Sequence, residues 1–331
     1  MSSSEFDFVA VGDIVVDDFI RLKEAEVHCE IDREKCQICM SFKDKVPFEF
    51  TKVVYAVGNS PNAAVAASRL GLRSAVVTNL GNDANGKYSL EYLENDGVET
   101  KFVKVHDGIS TNYHYVLWYE NDRTILIKHQ EYQYELPLIG KPKWIYLSSL
   151  GENSLPFHEK ISAYLDNNKS IKLAFQPGTY QIKFGAEALQ GIYQRTSVFI
   201  SNKEEAQKIL KTNEENIKKL LTEIQKLGPK IVLLTDGPKG VYMSDGKTNW
   251  FIKAYPDEKP PYERTGAGDA FASTFVSALA LGKSPEEALA WGPVNSMSVV
   301  QYIGAQEGLL SRDTLESYLK KLPFYKAEKI T

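Results

Sequence analysis

The run Glu263-Arg264-Thr265-Gly266-Ala267-Gly268-Asp269-Ala270-Phe271 holds the residues best placed to do chemistry. The stretch it leads into, FASTFVSALALG, has apolar residues at helical spacing through Phe271, Phe275, Ala278 and Leu279 and stops at Gly282. The glycines therefore stand at a helix entrance, where free N–H groups and the positive end of the helix dipole favour an anion. With no side chains, Gly266 and Gly268 let a phosphate oxygen approach the backbone closely. Asp269 would then stand beside that phosphate. A carboxylate there can take the proton of an attacking hydroxyl, a task worth ~10²–10⁴ in rate. An aspartate at this place also serves as an ordinary helix cap, and the segment alone leaves both readings open. A P-loop is not the explanation, because GxxxxGK[ST] does not occur in the chain.

Two further groups are weaker when read alone. Ser201 or Asn202 followed by Glu204 or Glu205 is an ordinary helix start with a capping carboxylate. Thr235 to Gly240 follows an apolar run, and its two glycines three residues apart suit a tight turn toward Val241–Ser244.

The elements that must position these groups alternate along the chain. Strand candidates are Phe8–Val11, Val53–Val57, Ala75–Thr78, Trp144–Leu147, Lys172–Phe175, Val198–Ile200 and Ile231–Leu234. Helical spacing marks Ala63–Leu70, Gly86–Asn95, Phe157–Asn167, Glu204–Leu210 and Glu215–Leu227. Near-continuous apolar strands alternating with helices predict an α/β fold, a doubly wound, mostly parallel sheet flanked by helices. Residues 18–52, roughly, are too long and too polar for a βα turn of ~2–6 residues. Residues 110–130, roughly, read as a hairpin turning at Glu120-Asn121-Asp122-Arg123. Both segments are expected to build a small β-sheet lid over the carboxyl ends of the strands. No linker or repeat interrupts the chain, so residues 1–331 are read as one domain with a lid. The first strand leads into Gly12-Asp13-Ile14 without GxGxxG, which makes a Rossmann dehydrogenase the poorer alternative.

Bulk properties narrow the class. Of 331 residues, 43% are hydrophobic and 25% charged, enough for a large core and a soluble surface. A formal charge of −4 gives no electrostatic reason to bind nucleic acid. No apolar run approaches the ~18–20 residues of a membrane span, and the start MSSSEFDFVAVGD does not read as a secretory signal. Three cysteines make no disulfide framework, so reduced thiols and a cytoplasmic setting are expected. His28, Cys29, Cys36 and Cys39 would suit tetrahedral zinc by type but not by standard spacing, and reduced, metal-free cysteines are the preferred reading.

Six motifs in order along the chain resemble the ribokinase-like (PfkB) family of carbohydrate and nucleoside kinases. Gly12-Asp13-Ile14-Val15-Val16-Asp17 is similar to the family's first strand and substrate-binding turn. Val57-Gly58-Asn59-Ser60-Pro61-Asn62-Ala63-Ala64-Val65-Ala66, running on to Arg69-Leu70-Gly71, resembles its Gly-Gly-Asn…Asn signature. Gly81-Asn82-Asp83-Ala84-Asn85-Gly86 resembles Gly-x-Asp-x-x-Gly, Asn202-Lys203-Glu204-Glu205 resembles Asn-x-x-Glu, and Thr235-Asp236-Gly237-Pro238-Lys239-Gly240 resembles Thr-x-Gly-x-x-Gly. The sixth match is Gly266-Ala267-Gly268-Asp269, which ends the family's second signature.

The resemblance implies a ribokinase-like fold and transfer of the ATP γ-phosphate to a hydroxyl of a sugar. Asp269 would be the base, with the amides of Gly266, Ala267 and Gly268 as the anion hole. Asn202 and Glu205 would order Mg²⁺ through water around the ATP phosphates. Thr235, Gly237, Gly240 and Asn295 would hold the nucleotide. Asp13, Asp17, Gly58, Asn59 and Asn62 would bind the sugar, with Tyr113, His114 and Trp118 of the hairpin either covering its ring or packing the sheet. A nucleoside kinase is the runner-up and a non-catalytic sugar-binding regulator a third reading. Glu263 and Arg264 depart from the family's usual Asp and small residue, which puts a monovalent cation in doubt. Val57 replaces the first glycine of the pair, and Val15 stands where ribose kinases place Asn. Exposed lid edges invite a homodimer.

Overall fold

Strand β1 (Phe8–Val11) is buried at all four positions, as expected of a run with no polar alternation. The structure, a computed structural model, describes residues 5–29, 36–120, 122–257 and 259–330. After β1 the chain leaves through β2 (Val15–Leu22), an exposed hairpin of β3 (Glu26–Cys29) and β4 (Cys36–Cys39), and returns along β5 (Phe48–Val57). It continues through α1 (Asn59–Arg69), β6 (Ser74–Gly81), α2 (Ala84–Asn95) and β7 (Val103–His106). A second excursion, β8 (Tyr113–Tyr119) and β9 (Asp122–Lys128), precedes β10 (Trp144–Leu147), α3 (Leu155–Asn167) and β11 (Lys172–Phe175). Then come α4 (Thr179–Ala188), α5 (Gln190–Arg195), β12 (Thr196–Asn202), α6 (Lys203–Leu210), α7 (Ile217–Lys226) and β13 (Ile231–Thr235). The chain ends with β14 (Val241–Ser244), β15 (Asn249–Ile252), α8 (Ala267–Ala280), α9 (Pro285–Val299), α10 (Arg312–Lys321) and β16 (Glu328–Ile330).

The main sheet has the order β16-β15-β14-β13-β12-β11-β10-β1-β6-β7. It is parallel from β7 to β13 and antiparallel beyond. Alternate side chains of each strand feed opposite cores: Phe8 and Ala10 pack with α1, α8 and α9, while Val9 and Val11 pack with α3, α5, α6 and α7. The sheet is thus doubly wound. Because β1 lies between β6 and β10, winding reverses there, and a ligand crevice belongs at the carboxyl ends of these strands.

A four-stranded sheet, β5-β2-β8-β9, stands off that edge. Strand β2 runs antiparallel to β5 and parallel to β8, and β8 and β9 form a hairpin from Tyr113↔Lys128 to Tyr119↔Asp122. Its turn contains Glu120 at φ 50° and Asn121, which lies outside the described residues. Val53–Val57, expected beside the main-sheet strands, is instead the end of β5 in this smaller sheet. A short apolar window reads alike in both sheets, and the long polar start of β5 is what decides its place. β15 and β16 were not anticipated, being short and only partly buried.

The cysteines correct one expectation. Pairing of β3 with β4 puts Cys29 opposite Cys36, and the two are joined by a disulfide, leaving Cys39 as the free thiol. Two sulfurs joined covalently offer no thiolates, so Cys29 and Cys36 stand as a bonded pair rather than as reduced thiols or zinc ligands. No helix among the described residues is long and apolar enough to cross a membrane.

Candidate active site

Parallel strands bring their carboxyl ends to one edge, and each polar residue there follows an apolar run. Asp13 follows β1, Ser148 follows β10, Gln176 follows β11, and Asn202 and Thr235 end β12 and β13 in register with each other. Helices α1 and α8 pack side by side. Helix α8 is buried from Ala270 to Ala278, a run whose only polar side chains are Ser273, Thr274 and Ser277, and this fixes its first turn at the same edge.

Asp269 is the third residue of α8 and is half-buried. Three neutral amides hold its carboxylate. Asn59 Nδ2 donates to Oδ1 at 2.7 Å, Asn62 Nδ2 to Oδ2 at 2.8 Å and Gln176 Nε2 to Oδ1 at 3.1 Å. The phenol of Tyr146 donates in turn to Gln176 Oε1. Burial raises the Asp269 pKa above the ordinary aspartate range; the three amide donors oppose this, and the charge of Asp17 reinforces it. The result is a carboxylate more basic than usual, oriented and, among the described residues, unpaired by a cation.

Beside it, Gly266 has φ 83° and caps the helix. A Cβ there would lie 2.3 Å from Ala305 Cβ, so the missing side chain makes room for Ala305 rather than for a phosphate, contrary to that expectation, while the backbone N–H of Gly266 stays available. Gly268 behaves as expected: a Cβ would meet nothing within 4 Å, so open space lies above it. The amide of Ala267 has only a long contact, 3.5 Å, to Arg264 O. Those of Gly266, Gly268 and Asp269 have no acceptor among the described residues. Open amides next to an oriented base suit an anion arriving with an alcohol.

Asn202 and Glu205 form a capping box: Glu205 N donates to Asn202 Oδ1 at 2.7 Å and Asn202 N to Glu205 Oε2 at 3.0 Å. Capping uses one carboxylate oxygen and leaves Oε1 free. Burial pushes the Glu205 pKa up, against the hydrogen bond from Asn202 and with help from the charge of Asp269. A carboxylate with one spare oxygen fits a hydrated Mg²⁺ better than a direct cage. Thr235 and Gly237 lie at the sheet edge, and a Cβ on Gly240 would come within 2.3 Å of Ile252 O, so Gly240 serves the hairpin. Asn295 corrects the sequence reading. It is fully buried, donating to Thr274 Oγ1 at 2.7 Å and accepting from Leu310 N at 2.9 Å, so it brackets α8, α9 and the following loop and offers adenine nothing.

At the other end, Asp13 accepts from Tyr134 OH at 2.9 and 3.0 Å, and His129 Nδ1 lies 3.4 Å from its Oδ2. His114 Nδ1 lies 3.3 Å from Asp17 Oδ1, and the two histidine rings are 5.1 Å apart. His114 Nε2 is buried without a protein partner, a group that a polar ligand would satisfy. Gly58 faces Asp13 O, which a Cβ would approach to 2.7 Å. Asn59 is half-buried, but Asn62, expected to bind the sugar, is buried, giving Oδ1 to Gln306 and an N–H to Asp269. Both asparagines hold the base. Trp118 packs edge-on against Phe50 and Tyr262, and Tyr113 donates to Asp18, its pKa pushed up to about 12 by burial and that charge. Of the hairpin aromatics proposed for the ring, only His114 meets a predicted site residue.

Gln176, His129, Tyr134 and Gln306 were missed by sequence reading. Gln176 carried a usable signal, since it directly follows the strand candidate Lys172–Phe175. The other three sit in irregular segments and carried none. The small sheet also touches the loops that shape the anion turn. Arg123 Nε lies 3.7 Å from Oε1 of buried Glu263, Trp118 packs on Tyr262, and Lys52 pairs with Glu307. Glu263 Oε1 also accepts from Thr265 N and Oγ1 at 2.8 and 2.6 Å.

Such a site, on a doubly wound sheet with a small β-layer over it, suits a phosphotransferase with an alcohol group as acceptor. Residues 23–312 match the pfkB family of carbohydrate kinases, and the chain belongs to that family. It is 30% identical over 285 residues to an ATP-dependent 6-phosphofructokinase of Thermoanaerobacterium thermosaccharolyticum, covering 81% of this chain and 86% of that one. Its fold superposes on the ribokinase of Arabidopsis thaliana complexed with ribose and ATP with a TM-score of 0.78 at 20% identity, covering 95% and 99% of the two chains. The nucleoside kinase of Methanocaldococcus jannaschii gives 0.76 at 18% identity, covering 96% and 100%.

Proposed function

We propose that the protein transfers the γ-phosphate of ATP to a hydroxyl of a free sugar, with Asp269 as general base. The observation that carries this is the raised, amide-held carboxylate of Asp269 next to the unpaired amides of Gly266, Gly268 and Asp269. The acceptor hydroxyl would give its proton to Asp269 as its oxygen attacks phosphorus, ADP leaves, and the open amides meet the charge on the transferred group. Bound Mg²⁺ would neutralise the phosphates, with Glu205 Oε1 and Asn202 ordering its waters, and Thr235 and Gly237 would line the nucleotide. Asp13, Asp17, Asn59 and the backbone at Gly58 would face the acceptor, and the small sheet would exclude water as a lid.

Charge favours a neutral acceptor over a phosphorylated one. Asp13, Asp17 and Asp269 have no Lys or Arg paired with them among the described residues; their only ionisable cationic neighbours are His114 and His129. A panel of free sugars, sugar phosphates and nucleosides, coupled to ADP release, tests this. Turnover only with sugar phosphates defeats the neutral acceptor, and turnover only with nucleosides selects the nucleoside kinase. Asp269→Asn should keep the fold and lower kcat by about 10²–10⁴-fold; turnover near wild type would remove Asp269 as base. We also propose a cytoplasmic homodimer that pairs through the lid, whose outer face exposes Tyr115 and Leu126. A monomeric mass by light scattering would end the dimer.

A further inference from the structure

Gln306 lies in the loop after α9, 37 positions beyond Asp269 in the chain and wholly buried. Its Nε2 donates to Ala56 O at 2.7 Å and to Asn62 Oδ1 at 2.8 Å. The first contact settles the amide's orientation, because a backbone carbonyl accepts only and so must face the NH₂ end. The second N–H of that NH₂ then meets Asn62, which must present its oxygen. Asn62 is thereby left with its own NH₂ toward Asp269 Oδ2, at 2.8 Å. The orientation has a cost: Gln306 Oε1 is buried with no partner. Arg69 Nη1 donates to Gln306 O at 2.6 Å and holds the loop, whose Ala305 fills the space left by Gly266.

We propose that Gln306 is a positioning residue for phosphoryl transfer, which locks Asn62 so that only a hydrogen-bond donor can face the Oδ2 of Asp269. This rests on the reading of Asp269 as the base. An asparagine free to turn would offer its oxygen to a protonated Asp269 as readily as its NH₂ to an ionised one. The lock removes that choice, so the site favours the carboxylate that can accept the acceptor's proton. It does so against the charges of Asp17 and Glu205, which act on Asp269, while Asn59 and Gln176 are neutral donors and the Tyr146 phenol reaches it through Gln176. Through Ala56, at φ 57° just before the end of β5, the same amide also ties the root of the small sheet to the base.

The test is a double-mutant cycle on purified full-length enzyme with its best acceptor. Gln306→Met keeps the volume and removes both donors. It should lower kcat about tenfold to a hundredfold, as expected for one hydrogen bond to a charged group, leave the acceptor KM within about twofold, and move the acidic limb of kcat to higher pH. On an Asn62→Ala background Gln306→Met should have no further effect on kcat. An additive loss in the cycle, or a limb that stays in place, overturns the lock and leaves Gln306 a packing residue. Should Gln306→Met not fold, Asn62→Asp carries the test. It keeps an acceptor for Gln306 but sets a carboxylate oxygen against Asp269, and kcat at wild-type level there overturns the proposal. Asp269→Asn run alongside separates the two failures. Turnover near wild type in it removes the base assignment, whereas a loss of about 10²–10⁴-fold with an additive cycle removes only the lock.

Discussion

Two aspartates stand at opposite ends of the same parallel sheet and are held in opposite ways. Asp7 precedes β1 at the amino edge, where Arg73 and Lys143 lie 3.2 and 2.8 Å from its oxygens. Burial works to raise its pKa, but the hydrogen bonds and charges of those two cations outweigh it and bring it to about 2. Asp269, at the carboxyl edge, is held by Asn59, Asn62 and Gln176, which orient without neutralising, and burial leaves its pKa raised. A cation makes a carboxylate stable and a poor base. Amides keep it in place and reactive, at a cost in stability.

The sharpest way to break the contrast is to give Asp269 what Asp7 has. Gln176→Lys would set an ammonium near Oδ1, and kcat should fall about a hundredfold while the acidic limb of its pH profile moves down. An unchanged limb would show that Asp269 is not the group being titrated. In the wild type the same limb should lie above the ordinary aspartate value of ~3.9.

Stability gives the next largest effect. Because the Asp269 pKa is raised in the folded protein, its favourable contribution is present below the unfolded pKa and is lost as pH rises through the folded one. Asp269→Asn should therefore melt higher than wild type at pH 7–8, with the gain shrinking as pH falls toward 4. A lower Tm at pH 8 would mean that the carboxylate is not strained. Asp7 has the opposite sign: its stabilisation is present above the unfolded pKa of ~3.9 and is lost as pH falls through about 2. Asp7→Asn should cost about 1–2 kcal/mol at pH 7 in denaturant unfolding, discounted because both cations are half-exposed, with kcat unchanged. Lys143→Ala should cost less, under ~1 kcal/mol.

Legibility followed the range of the interactions. Apolar runs marked β1, β10, β11, β12 and β13 to within two residues, since burial on both faces leaves a local mark, whereas β7, β15 and β16 have too few buried positions to show. The same mark misplaced Val53–Val57, because which sheet a strand joins depends on partners such as Val15 and Asp17. Gly268 with Asp269, and Asn202 with Glu205, each lie within one continuous segment, so local chemistry marked them as candidates, while only the family resemblance gave them roles. Asn59 and Asn62 were read as sugar ligands, and their spacing does not reveal that both amides meet Asp269.

What the chain order alone determined is the set of glycine turns and helix starts, whose preferences are settled within a few residues by dihedral freedom and unpaired amides. Folding decided the rest. Gln306 reaches Asn62 across 244 positions, and Asp269 meets Asn59 across 210. Neither Gln306 nor Asn59 differs in type from the solvated amides elsewhere in the chain, so only packing, by removing water and fixing one donor against one acceptor, makes them part of the site.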